Sequence, residues 1–188
     1  MNNFRFPLSL LAALAVGPAV LFGATPGFAQ SAGNADAGAA NGPKVTTQRY
    51  GDWLLECIEP AGSEMSCQIK QRIVHNESGQ NILQMTLTYN PKEKSDMVQY
   101  VLPLDFLLVP GVGVIIGDFQ AVARVNRCMA QGCVIEGKTD EAFITAMKSA
   151  TEEGRFVMMS RSGKKVGVSF SATGFTKAYN EMRAQNLK

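Results

Sequence analysis

The side chains with the widest chemical range in this chain are four cysteines in two close pairs: Cys57 and Cys67, ten positions apart, and Cys128 and Cys133, five apart. A cysteine can be a nucleophile, a metal ligand or half of a disulfide. Four cysteines allow three pairings; the two local ones, Cys57–Cys67 and Cys128–Cys133, are the preferred reading. Structural zinc asks for pairs separated by two to four residues with matched partners. Four residues separate Cys128 from Cys133, but nine separate Cys57 from Cys67. A redox-active Cys-x-x-Cys is absent. The expectation is two local staples formed in an oxidising compartment, each restraining the unfolded chain by about 2–3 kcal/mol. No metal and no cofactor is expected, and a disulfide sulfur is not a thiolate nucleophile.

The remaining reactive groups do not assemble into a known catalytic pattern. His75 is the one histidine, beside the turn-like Asn76-Glu77-Ser78-Gly79, so at most one histidine base is available. Gly-x-Ser-x-Gly and His-Glu-x-x-His are both missing. Gly111-Val112-Gly113-Val114-Ile115-Ile116-Gly117 misses the dinucleotide spacing and has no helix after it to hold a phosphate. Glu56 and Glu59 flank Cys57, and Glu152-Glu153 close a helix; no carboxylate pair is placed on facing elements. No catalytic residue is assigned, and Trp53 is read as core.

The leader supplies the compartment. Arg5 precedes an apolar run, Phe6 to Phe22, which ends in small residues through Gly27-Phe28-Ala29. This is the pattern of a signal peptide cleaved after Ala29, so residues 1–29 are read as removed on export. Pro7, Gly17 and Pro18 interrupt the run, which argues against an anchor, since a span needs roughly 20 apolar residues. Residues 30–43, built of Ser, Ala, Gly and Asn with Asp36, hold no large apolar side chain and are read as a disordered linker. Residues 44–188 then form one domain. Without Arg5 the chain has 17 basic and 16 acidic residues, a balance of +1. That is no footprint for nucleic acid, and Lys164-Lys165 near Arg161 is read as a solvated hairpin turn.

Short apolar runs between turn signals must position everything else. Trp53 to Ile58 and Ser66 to Ile73 read as a hairpin across Pro60-Ala61-Gly62-Ser63, with Cys57 and Cys67 bridging it near its base. Ile82 to Tyr89, Met97 to Leu102, Val112 to Ile116, Phe119 to Val125, Arg155 to Ser160 and Val166 to Ser171 continue the pattern. Pro103 to Gly111 is an apolar connector. Cys128 to Cys133 forms a tight loop entering a short strand. One helix begins at Thr139 as N-cap, with Asp140 and Glu141 in its first turn. A second, Thr173 to about Ala184, carries Phe175, Ala178, Tyr179 and Met182 at helical spacing. Eight to ten short strands with two short helices predict a mainly β fold, an antiparallel sandwich or a barrel-like domain.

Tyr50-Gly51-Asp52-Trp53 with Leu54-Leu55-Glu56-Cys57 resembles the opening of the invasion-associated locus B family. Cys67-x-x-x-Gln71, Val101-Leu102-Pro103-Leu104, Gly111-Val112-Gly113-Val114, Cys128 with Gly132-Cys133, and Gly174-Phe175-Thr176-Lys177-Ala178 extend the likeness in order. It runs from Tyr50 to Tyr179, nearly the whole domain after the leader. Asp105-Phe106 stands where that family would place a small glycine-containing turn. The resemblance implies an exported protein of Gram-negative bacteria, periplasmic, outer-membrane associated or secreted, with no enzymatic activity or cofactor established for the family.

The reading that follows is a non-catalytic envelope protein that acts by binding, in envelope maintenance or host-cell interaction. The partner is an unidentified envelope or host protein, without nucleic acid and without a membrane anchor once the leader is gone. A chaperone-like accessory subunit and a small hydrolase with a carboxylate pair are the alternatives. The candidate contact loop is the apolar connector at Phe106, Leu107 and Leu108.

Overall fold

The computed structural model describes residues 42–188. The leader at 1–29 and residues 30–41 of the expected linker lie outside the described residues. Twelve strands and two helices follow. They are β1 (Lys44–Tyr50), β2 (Trp53–Glu59), β3 (Ser66–Val74), β4 (Asn81–Asn90), β5 (Ser95–Leu102), β6 (Phe106–Leu107), β7 (Val112–Ile116), β8 (Phe119–Ala123), β9 (Arg127–Met129), β10 (Gly132–Lys138), α1 (Glu141–Ser149), β11 (Gly154–Ser160), β12 (Lys165–Phe170) and α2 (Phe175–Asn186).

Every pairing is antiparallel. The larger sheet runs β1-β2-β3-β4-β5-β10-β9 and the smaller β12-β11-β7-β8, with β6 also on β11. The two do not close into a barrel; the arrangement is a sandwich, the first of the two expected architectures. Alternation drives it. Trp53, Leu55 and Cys57 on β2, Cys67, Ile69 and Gln71 on β3, and Leu83, Met85, Leu87 and Tyr89 on β4 are buried, while the residues between them are half-exposed. A period of two puts one face of each strand in the core.

That inner face has two covers. Helix α2 lies across β1 to β4, burying Phe175, Ala178, Tyr179 and Met182. Trp53 meets Phe175 edge-on at 5.2 Å. Farther along, the small sheet takes over: Tyr100 of β5 contacts Phe156 of β11 at 4.9 Å between ring centroids, and Phe156 contacts Phe170 at 5.1 Å. Phe143 of α1 reaches both Tyr100 and Phe119. One aromatic chain therefore joins both sheets and α1. Edge-to-face geometry suits the ring quadrupoles.

The segment between β12 and α2 is tied to the large sheet. Ser171 N–H donates to Gln71 Oε1 at 2.9 Å, and its carbonyl accepts from Gln71 Nε2 at 3.0 Å and Trp53 Nε1 at 2.9 Å. Two residues on, the Thr173 carbonyl accepts from Asp52 N–H at 3.1 Å. Gly174 follows at φ +86°, and a Cβ there would stand 2.0 Å from the Tyr50 carbonyl oxygen. Only glycine fits a position that is both left-handed and pressed on another strand's backbone.

Local corrections are few. Asp140, not Thr139, is the N-cap of α1: its carboxylate accepts from Phe143 N–H at 2.8 Å. The expected tight loop at Cys128–Cys133 is a true hairpin, β9 on β10. The first staple sits near the turn of the β2–β3 hairpin rather than its base, one residue pair in from the loop. Strand β1 precedes Trp53–Ile58, the first strand expected, and β6 adds a two-residue strand in the connector.

Two outcomes test the tie. Gln71 is 5% exposed, so Gln71→Leu leaves the part-buried Ser171 N–H without its acceptor and should lower unfolding free energy by about 1–3 kcal/mol in urea titration. Gly174→Ala should cost about 2–4 kcal/mol. Gly137→Ala, whose added methyl meets nothing within 4 Å, should cost well under half of that.

Candidate functional site

The cysteines are structural in position. Cys57 faces Cys67 across β2–β3 and Cys128 faces Cys133 across β9–β10, and each pair is bonded. No free cysteine remains among the described residues. Cys57, Cys67 and Cys133 are buried. Asn186, at the end of α2, accepts from Cys67 N–H at 2.7 Å and donates to its carbonyl at 2.9 Å. The first staple is thereby held by the helix as well as by its own hairpin.

The charged groups are dispersed. Glu56 projects on the outer face of the large sheet and takes bonds from Lys70 Nζ at 2.6 Å and Gln68 Nε2 at 2.8 Å. Lys70, then Gln68, hold its carboxyl below the ordinary carboxylate value. A lowered carboxylate stabilises the fold above its ordinary value and loses that contribution as pH falls through the lowered one. Glu136 is likewise lowered, first by Arg127 and then by Gln99. Glu59, His75, Glu152 and Glu153 are exposed and separate from these pairs. The two glutamates flanking Cys57 and the two closing α1 are not brought together. Among the described residues no three His, Cys, Asp or Glu groups converge as a metal site would need.

One carboxylate is different. Asp96, at the start of β5, has 13% of its side chain exposed. Its Oδ2 accepts from the Tyr179 hydroxyl at 2.8 Å and lies 3.5 Å from Arg183 Nη1, while Oδ1 is buried with no partner among the described residues. Arg183 stacks over Tyr89 at 4.0 Å and Lys148 over Tyr179 at 4.4 Å. Burial, opposed by Arg183, pushes the Tyr179 phenol up. This cluster clamps α2 to the β4–β5 hairpin. It has one carboxylate and two cations on it, which is not an acid–base pair. Sequence reasoning missed it because Asp96 and Tyr179 are 83 positions apart.

Two surfaces remain. The first is a cleft of about 300 Å³ between β8 and β10, floored by Tyr100, Phe119, Ile135 and Phe143. Its cause is local. Strand β9 pairs with β10, but upstream Asn126 uses its side chain to accept from Glu136 N–H at 2.7 Å. A side-chain oxygen stands where a backbone carbonyl would continue the ladder, and the chain turns away to join the small sheet as β8. Burial pushes the Tyr100 phenol up at the floor, with the Asp140 carboxylate adding to it.

The second surface holds the candidate contact loop. Phe106 is half-buried and packs on the core, whereas Leu107, Leu108 and Val109 are 41%, 47% and 90% exposed. Leu104, at 50%, precedes them. Asp105 takes the turn between with φ +77°, the left-handed conformation a glycine would fill, and its carboxylate meets Arg161 at 3.4 Å. The loop abuts the outer face of the small sheet. There Val122, 69% exposed, stands in register with Gly113, Val157 and Gly167. Gly113 leaves a shallow apolar trough beside the ridge, while the Arg155 side chain lies over Gly167. Val122 and the trough were not legible beforehand, because they depend on which hairpins share a sheet.

Comparison with curated proteins found no match. Among solved structures, the chain is similar to the crystal structure of invasion associated protein b from Bartonella henselae, with a TM-score of 0.63 at 17% identity, covering 74% of this chain and 95% of that one. At that identity the likeness is one of fold. The family model for invasion associated locus B (IalB) protein matches residues 53–183, from Trp53 on β2 to Arg183 on α2. The match spans both disulfides, the aromatic chain between the sheets and the Gln71–Ser171 tie, and on it the chain belongs to the invasion associated locus B family.

Proposed function

We propose that this is an exported, non-catalytic protein of the bacterial envelope that works by binding another protein, through the ridge formed by Leu107, Leu108 and Val109. The domain is residues 44–188, behind a cleaved leader and a short linker. The observation that carries the reading is the ridge itself. Four large apolar side chains, Leu104 and Leu107 to Val109, stand in solvent at 41% exposure or more and continue into Val122 and the trough. Contiguous exposed apolar surface of this kind marks interaction sites. Export is supported by the leader-like opening and by the two disulfides, which persist in oxidising compartments. Absence of catalysis is supported by the dispersal of the carboxylates and the capture of every described cysteine in a disulfide. Among the described residues no helix is long and apolar enough to cross a membrane. The partner is an envelope protein or a host surface protein, and the compartment is the periplasm or the outer surface.

The test compares the purified protein with its Leu108→Ser/Val109→Ser variant in cross-linked pull-downs from envelope extract, read by mass spectrometry. Phe106 is left intact because it packs on the core. The same partner should fall at least tenfold in recovery, with the melting temperature within about 3 °C of the parent. Equal recovery of every captured protein would remove the ridge from the proposal, and turnover of a substrate at enzyme-like rates would end the non-catalytic reading.

A further inference from the structure

The two strand orders end in four edge strands, with the two-residue β6 outside them, and the four are not equally guarded. β1 carries Lys44 and Arg49. β9 is three residues long and bonded to its neighbour through Cys128. β12 opens with Lys165. β8 reads Phe-Gln-Ala-Val-Ala, with no charge, no proline and no bulge in its register with β7. Natural edges are normally blunted by such devices, because an open row of N–H and C=O groups templates pairing with another chain. We propose that β8 pairs with β8 of a second copy of this chain, antiparallel across a two-fold axis at Ala121.

The register follows from the hairpin. Gly117-Asp118 is a two-residue turn closed by the pair Ile116–Phe119, with Gly117 at φ +53°. The closing pair of such a hairpin is hydrogen-bonded and pairs alternate from there. Phe119, Ala121 and Ala123 therefore direct their backbone groups at β7. Gln120 and Val122 direct theirs at the open edge. An antiparallel partner must offer the same outward residues. With the axis at Ala121, Gln120 of one copy bonds Val122 of the other, twice, and Ala121 faces its own equivalent as a non-hydrogen-bonded pair.

Charge selects that register. Asp118 and Arg124 bracket β8; both are exposed, and neither makes an ion pair among the described residues. With the axis at Ala121, Asp118 of each copy stands opposite Arg124 of the other, on the same face as Gln120 and Val122. Moving the axis to Gln120 sets Asp118 opposite Val122, and moving it to Val122 sets Asp118 opposite Asn126. Only the central register pairs both charges, and the two-fold makes each pair occur twice, as an isologous interface requires. The two small sheets then join edge to edge. Val122 of each copy becomes a near diagonal neighbour of the other, and the two apolar troughs lie on one continuous face. This pairing uses the edge of β8 and does not depend on the ridge.

Sedimentation equilibrium of the purified protein from about 1 to 200 µM should show a reversible monomer–dimer equilibrium. Asp118→Arg and Arg124→Asp should each weaken it about tenfold, since either puts like charges at both contacts. The double variant Asp118→Arg/Arg124→Asp should restore it, which a mere loss of folding would not do. Ala121→Cys should form a disulfide-linked dimer on mild oxidation, whereas Gln120→Cys, which faces Val122 and not itself, should not. A monomer throughout that range, a dimer indifferent to both reversals, or reversals that the double variant fails to rescue would overturn the proposal.

Discussion

The Ser171 peptide, held by Gln71 and Trp53, is the constraint on which the arrangement of the molecule rests. A hairpin fold specifies neighbours along the chain easily but leaves the relation between its sheets to side chains. Here β12 ends the small sheet and α2 covers the large one, so the residues joining them decide how both sit. Gln71 presents an acceptor and a donor to the two backbone groups of one residue, and Trp53 adds a second donor to the same carbonyl. Buried polar groups without partners are costly, and Gln71 is the one buried polar side chain of the described core. The bonds therefore admit one placement of the strap. Gly174 makes that placement tight by letting the strap rest on the Tyr50 carbonyl. The direction of α2 follows from there, and with it the burial of Phe175 against Trp53 and the reach of Asn186 to Cys67.

The fold class was readable because most strands are half-buried and alternate. Leu83, Met85 and Leu87, or Val98 and Tyr100, recur at the period that a sheet with one wet face demands. What escaped had weak local signal. β1 is exposed at Lys44 to Arg49 and buries only Tyr50, so no alternation marks it. β6 and β9 are two and three residues long, too short for a period of two to repeat. The partition into two sheets was unreadable for another reason. β5 pairs with β10, with β6 to β9 between them in sequence, and nothing in either strand announces the other.

The candidate surfaces divide along the same line. The contact loop at Phe106, Leu107 and Leu108 stood out because a run of large apolar residues between prolines is visible in one dimension. Its internal difference was not: Phe106 turns to the core while Leu107 and Leu108 stay out, and the distinction comes from pairing with Met159 and Ser160 of β11. Val122 gave no signal, since alternation identifies a buried face but not whether the opposite face is covered. Asp96 gave none either, because its partners Tyr179 and Arg183 arrive from the last helix.

The position of the Asn126 side chain explains why a chain with this many strands stops short of a barrel. Continuous pairing of β8 through β9 with β10 would have consumed both edges. Asn126 bonds Glu136 N–H instead, and from that point β8 is free to complete the small sheet. An edge left open in this way recognises partners through backbone groups, whose spacing is the same for any side chain. In the proposed pairing of β8 with a second copy, selectivity therefore rests on Asp118 and Arg124, the side chains that set its register. The core demands are equally sparing, because the Ser171 tie uses the backbone of its acceptor and specifies only Gln71 and Trp53. A fold built on such contacts keeps its architecture at 17% identity to the Bartonella structure, so membership of the family determines the scaffold, and the proposals alone place partners on the ridge and the edge.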